Sequence, residues 1–318
     1  MINFFILNRA QNAKRLPTSE KASVIQCFLK FTTIAVFLVA PIQLTSYHNP
    51  QTKIVERSLK KNITRLSPNS LNRYGKSIYS QYGEDGIIEE IFTRIGIDSG
   101  FFVDFGANDG IWLSNTRLLW EKGWNGVMIE ANPKFYKTLR NTYENDPQVK
   151  TLNEFVTWKK DDKRGRLFNE IKEEHFKNQE IDFLSIDIDG GDYFILKTLK
   201  CRPKVICIEN GLKWHPLMKK EAPESIALKN IHQPLEVVIG YAKTIGYRAV
   251  CSTNNLFLVR EDFSHLFENV PDDAITIFRD AFRALPNKKW WLYWRVQPII
   301  TSFEGPEFQK LMPITMEF

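Results

Sequence analysis

The stretch Phe101-Phe-Val-Asp-Phe-Gly-Ala-Asn-Asp-Gly110 decides how this 318-residue chain is read. An apolar, β-favouring run ends on two glycines, Gly106 and Gly110, and helix-like sequence follows. Glycines there let the main chain come close to a ligand, and amides near a helix start can face it. A glycine pair alone is a weak signal, because any strand-to-helix turn uses glycine. The surroundings strengthen it. Asp104 stands just before the turn, and 24 residues after Gly106 a second apolar run ends in Ile129-Glu130. A carboxylate at that place can accept hydrogen bonds from both hydroxyls of a ribose.

Outward from this stretch, short apolar runs alternate with amphipathic ones. Residues 101–105, 127–129, 183–188 and 205–208 read as strands, and 115–122, 133–143 and 193–200 as helices. Strands without polar alternation suit a parallel sheet covered on both faces. Upstream, Ile87-Ile88, Ile91-Phe92 and Ile95 recur at helical spacing until Gly96. Downstream, a helix-like 235–245 precedes two strand-like runs, 246–252 and 256–259, joined across Asn254-Asn255. That pattern predicts a closing hairpin. The expected fold is α/β: Rossmann-like and doubly wound, with a mostly parallel sheet ending in an antiparallel hairpin.

The same features can serve a dinucleotide. The loop, however, is Gly-Ala-Asn-Asp-Gly, not the G-x-G-x-x-G spacing that cradles a pyrophosphate. Asp104 and Asp109 repel a pyrophosphate and attract a cationic ligand. S-adenosylmethionine carries an ammonium and a sulfonium and no phosphate, so it is the expected cofactor.

Several ordered motifs extend this reading. Val103-Asp-Phe-Gly-Ala-Asn-Asp-Gly110, Ser114-Asn-Thr-Arg117, Gly123-Trp-Asn-Gly126, Ile129-Glu-Ala-Asn-Pro133 and Leu184-Ser-Ile-Asp-Ile-Asp-Gly190 resemble the FkbM-type methyltransferase family. The resemblance spans roughly residues 80–260. It implies a class I methyltransferase fold and methyl transfer to a hydroxyl of a sugar or other small molecule. By it, Asp104, Gly106, Asn108 and Gly110 match the first cofactor motif, and Glu130 the ribose-binding acid. The expected cofactor set is therefore Asp104, Gly106, Ala107, Asn108, Asp109, Gly110 and Glu130, with Asp187 at its edge. One departure stands out. Many relatives carry a lysine and a glutamate around the later acidic strand, where this chain has Ser185-Ile-Asp-Ile-Asp-Gly-Gly-Asp192.

Within that segment Asp187 and Asp189 are two apart, so on a strand both face the same way. They are candidates for a base toward an acceptor hydroxyl or for holding a divalent cation. Capping of the following helix is the plainer alternative. The primary reading assigns no metal. His215, in a loop after Glu209-Asn210, is the third catalytic candidate, since histidine titrates near neutrality. Neighbouring Trp214 shields an acceptor or covers the sheet edge. Ser80, Gln81 and Asp85 start a helix over the cofactor or simply cap it.

Charge is divided along the chain. Residues 1–79 hold 12 Lys/Arg against 2 Asp/Glu, and the remainder 31 against 35. The overall +6 thus belongs to the N-terminal part, which argues against a nucleic-acid groove on the folded part. The expected divisions are a basic segment at 1–23, a membrane anchor or signal segment at 24–44 and a linker at 45–75. A methyltransferase domain at 76–265 and an aromatic, basic extension at 266–318 complete them. Phe31–Leu44 is an uncharged run of 14 residues, short of the roughly 20 that span a bilayer. For 24–44 three alternatives stay open, a membrane anchor, a cleaved signal or neither, and a cytoplasmic domain is expected. The four cysteines lack metal spacing, and Cys207 and Cys251 read as buried thiols. Two rival functions remain open: a membrane-anchored glycosyltransferase using Asp187-x-Asp189, and a non-catalytic relative of the methyltransferase fold.

Overall fold

The computed structural model describes residue 49, residues 51–229 and residues 231–285. The segments at 1–23 and 24–44, Cys27 and the aromatic run 288–295 lie outside the described residues. Among the described residues no helix is long and apolar enough to cross a membrane.

The sheet strands are β1 (Phe101–Phe105), β2 (Asn125–Ile129), β3 (Val149–Leu152), β6 (Phe183–Ile186), β7 (Val205–Glu209), β8 (Tyr247–Ser252) and β9 (Asn255–Arg260). A two-stranded ribbon pairs β4 (Val156–Thr157) with β5 (Arg166–Leu167). The main sheet runs β3-β2-β1-β6-β7-β9-β8. Every pairing from β3 to β7 is parallel, while β9 is antiparallel to β7 and to β8. This is the doubly wound sheet with a terminal hairpin that the sequence predicts. Its strand order reverses between β1 and β6, the switch point at which such sheets bind ligands beyond the strands' carboxyl ends.

The strands are apolar on both faces because both faces are covered. Phe102 packs on one side with Met128, Phe183 and Cys207. Ile87, Ile91 and Phe92 of helix α2 (Glu84–Ile95) join them there. Val103, Phe105, Ile129 and Ile186 face the other side. They meet α5 (Phe168–His175), α6 (Asp192–Thr198) and α8 (Leu235–Thr244). Asp182 ties the opposite end of the sheet, accepting from the Phe101 amide at 2.7 Å and from Lys204 Nζ at 2.5 Å. Cys207 and Cys251 are buried, free thiols, as the apolar runs predicted.

Two expectations need correction. The segment 45–75, read as linker, contains helix α1 (Gln51–Asn62) and short 3-10 turns at Ile63–Arg65 and Leu71–Tyr74. Val55 and Leu59 of α1 cluster with Leu66 and Ala284. Few apolar residues punctuate this basic stretch, but they fall on one helical face. The packed body also continues past residue 265. Helix α9 (Ala274–Ala284) buries Ala274, Ile277, Phe278 and Ala281 against the core, and Asp273 caps it by accepting from the Thr276 amide at 2.9 Å. The short helices α3 (Arg117–Glu121), α4 (Pro133–Thr142) and α7 (Glu224–Ala227) complete the set.

Candidate active site

At the switch point the ends of β1 and β6 come into close approach. The amides of Gly106 and Ala107 both donate to the Ile129 carbonyl, at 3.0 and 3.2 Å. The Asp187 amide donates to the Phe105 carbonyl. Gly106 has φ +75°, and a Cβ there would lie 1.8 Å from the Asp187 carbonyl oxygen. The glycine is needed because main chain meets main chain. Gly110, at φ +75°, is likewise closed in by the Tyr143 ring, 2.5 Å from where its Cβ would sit. Both glycines thus have a reason within the fold: at each, the place of a side chain is taken by a neighbouring group of the protein.

Glu130 fixes the β1 and β2 loops to each other. Its Oε2 accepts from the Asn108 amide at 2.9 Å and its Oε1 from the Asn132 amide at 2.6 Å. Asn108 holds a left-handed φ of +52° to present that amide. Asn132 in turn caps α4, accepting from the Lys134 amide at 2.9 Å. The Glu130 side chain is 7% exposed and borders a cavity of about 860 Å³.

That cavity also takes in Gly106, Asn108, Asp187 and Asp189 from the expected set. The other expected cofactor residues stand behind it. Asp104 is buried and accepts from Thr116 Oγ1 at 2.7 Å. Burial, with a contribution from the Glu130 charge, pushes its carboxyl up to about 6. Asp109 accepts from the amides of Ile111 and Trp112, closing its own turn. Ala107 is packed in the core, and Tyr143 Oη donates to the Gly110 carbonyl at 2.8 Å.

The far wall is acidic. Asp192, the first residue of α6, holds the loop before it, accepting from the amides of Ile188 and Gly190 at 2.9 and 3.1 Å. Asp187 and Asp189 stand on the cavity wall. Beside them Glu209 closes β7, its Oε1 accepting from Asn254 Nδ2 at 3.0 Å. His232, buried at φ +59°, lies between two carboxylates: its Nε2 is 3.5 Å from Glu209 and its Nδ1 3.4 Å from Asp192. Burial, reinforced by the Glu209 and Asp192 charges, raises Asp187 well above the carboxylate range, and burial raises Glu209 as well. Lys213 also borders the cavity, and burial lowers its ammonium against the pull of Glu209 and Asp189.

His215 does not join this group. It is not part of the cavity wall, its Nδ1 accepts from the Leu217 amide at 3.2 Å, and burial lowers it. Trp214 is buried and donates to the His232 carbonyl at 3.2 Å, so it fixes the loop instead of shielding an acceptor. The N-cap position of α2 is Gly83, and Ser80 and Asp85 tie the helix start to the turn before it. Ser80 Oγ accepts from the Asp85 amide at 3.0 Å, and Asp85 accepts from three amides at 78–80. Gln81 and Tyr82 from that turn reach the cavity.

Sequence reading missed Glu209, Lys213 and the aromatic wall of Phe135, Phe155 and Trp158. Glu209 had a usable signal, since it ends the strand next to that of Asp187. Phe155 and Trp158 follow β3, a short strand with two of its four residues solvent-accessible, which left no apolar run to mark it.

Comparison with known proteins bears on this geometry. Residues 146–228 match the methyltransferase FkbM domain. That match supports the FkbM-type family that the motifs resemble. It covers about a quarter of the chain, from β3 through the acidic wall to α7, and does not include the 103–110 loop. No curated protein matches the chain. Among solved structures, an SAH-bound Podospora anserina methyltransferase is 15% identical with a TM-score of 0.37, over 77% of this chain and 97% of that one. An O-methyltransferase from Bacillus cereus in complex with SAH is 16% identical with a TM-score of 0.35, over 68% and 95%. The fold assignment rests on the strand order and pairing of this chain, and the FkbM match makes the coarse activity methyl transfer.

Proposed function

We propose that the chain is an S-adenosylmethionine-dependent O-methyltransferase acting on a hydroxyl of a sugar or other small molecule. The observation that carries this reading is the two-sided cavity at the switch point, with Glu130 on one wall and Asp187, Asp189 and Glu209 on the other. Each Glu130 oxygen is engaged by one backbone amide and keeps a lone pair for a ribose hydroxyl. The side chains of Phe135 and Phe155 offer apolar surface for an adenine ring. The acidic wall suits a ligand that is cationic at its reacting end.

When bound, the donor supplies a methyl group already activated by its sulfonium. The chain's own part is positioning and proton handling. The acidic wall orients the acceptor hydroxyl and eases loss of its proton as the methyl passes from sulfur to oxygen. The test is transfer from methyl-labelled S-adenosylmethionine to a panel of sugars and small hydroxylated acceptors. Label on a hydroxyl, lost in Glu130→Ala, is expected. Label found only on nitrogen or carbon acceptors would overturn the O-methylation reading.

A further inference from the structure

Helix α1 carries its charge on the side that the rest of the protein does not use. Val55 and Leu59 face inward, clustered with Leu66 and Ala284. At about 100° per residue, Lys53, Arg57, Lys60 and Lys61 fall on the opposite side, and all four are exposed. Exposed Ile54 borders this stripe, and Glu56, the one acid of α1, lies to its flank. Arg65 follows the helix, and Arg283 of α9 joins it by donating to the Arg65 carbonyl at 2.5 Å. Among the described residues none of the four stripe cations makes an ion pair.

This arrangement works against the helix. Lys53 and Arg57, like Arg57 and Lys61, are like charges four residues apart, and Lys53 stands in a first turn that has no acid. Only Lys60 and Lys61, in the last turn, suit the helix dipole. A face kept merely solvated mixes both signs, as α2 does with Glu90 and Arg94.

The sequence at both ends of the described body supplies a second, independent observation. Six residues separate α1 from the uncharged run Phe31–Leu44, a reach of about 25 Å at full extension. At the other end, Ser58 Oγ of α1 donates at 3.1 Å to the carbonyl of Leu285, the last described residue. Lys288-Lys-Trp-Trp-Leu-Tyr-Trp-Arg295 begins three residues later. An apolar run and a run rich in Trp and cations therefore both join the body at α1, and membrane interfaces collect these residue types.

We propose that the outward face of α1 docks on an anionic lipid bilayer. Lys53, Arg57, Lys60, Lys61 and Arg65 meet the headgroups, and Ile54 enters between them. Each cation held near an anionic surface strengthens binding by about fivefold. A nucleic-acid duplex also attracts such charge, but it gives no role to Ile54 or to the apolar and aromatic runs beside α1. The docking surface does not depend on the activity proposed for the cavity.

Co-sedimentation of the full-length protein with phosphatidylcholine vesicles, with and without about a third phosphatidylserine, tests this near physiological salt. The run Phe31–Leu44 is uncharged and contributes alike to both vesicle types, so the comparison reads the charge. Binding to the anionic vesicles is expected to be tighter by about tenfold or more. Lys53→Gln, Arg57→Gln, Lys60→Gln and Lys61→Gln together should abolish that preference. The same number of changes at exposed lysines elsewhere, Lys219→Gln, Lys220→Gln, Lys229→Gln and Lys243→Gln, should keep it. Equal binding of the wild-type protein to both vesicle types overturns the docking surface. A preference that survives the α1 substitutions, or that the control set loses equally, overturns it as well. Retention of duplex nucleic acid through the α1 cations, without a vesicle preference, would make the stripe a nucleic-acid surface instead.

Discussion

Gly106 is constrained from within the fold as well as by its place at the cavity. The sequence marks it as a turn glycine beside a ligand, and it does border the cavity. Its missing side chain is nevertheless required by the Asp187 carbonyl. Gly106→Ala should therefore destabilise the fold by about 3 kcal/mol or more, because backbone cannot step aside as a side chain can. Thermal unfolding checks this, and an unchanged midpoint would contradict the close approach. Asp104 makes a second prediction at this scale. Its folded carboxyl is raised to about 6 by burial, so the stability it contributes is complete below about pH 4 and is lost as pH rises through about 6. Relative to Asp104→Asn, the wild-type chain should lose on the order of 2 kcal/mol between pH 4.5 and 7.5 in urea unfolding. A constant difference between the two proteins would show that Asp104 is not held near-neutral by burial.

At the level of elements, the central strands were legible because burial on both faces leaves unbroken apolar runs. Residues 101–105 form β1 as read, and the 246–259 hairpin appears where the Asn-Asn turn indicated. Elements with mixed surfaces were not legible. β3, α5 and α1 each bury only a few positions among exposed polar ones, and composition hides them. The missed α1 matters most for the site. Asn49 Nδ2, just ahead of α1, donates to the Ser80 carbonyl at 2.8 Å, and Thr52 Oγ1 within it donates to the Ser77 carbonyl at 2.5 Å. Both contacts brace the turn that carries Gln81 and Tyr82 to the cavity. A chain starting at residue 66 should lose about 3 kcal/mol against one starting at 49, roughly the burial of Val55 and Leu59. Equal unfolding midpoints for the two truncations would make α1 dispensable.

For the whole molecule, the sequence raises the question of which side of a membrane the domain would face if 24–44, which lies outside the described residues, were an anchor; a cytoplasmic domain is the expectation to test. The sequon Asn62-Ile63-Thr64 is a poor reporter of that topology. Asn62 is 8% exposed and its Nδ2 donates to the Ser58 carbonyl at 3.1 Å, so the folded chain hides the acceptor. Protease treatment of sealed vesicles is the better measurement. Digestion of the domain without detergent is expected, and protection would move it to the other side.

The central claim is that the cavity between Glu130 and the acidic wall takes the methyl donor. Calorimetry of the full-length protein with S-adenosylhomocysteine, NAD and a UDP-sugar tests it most directly. Binding of S-adenosylhomocysteine alone is predicted, weakened by about 1.5–3 kcal/mol in Glu130→Ala through loss of hydrogen bonds to a charged group. Preferential binding of NAD or the UDP-sugar, or S-adenosylhomocysteine affinity unchanged in Glu130→Ala, would contradict it.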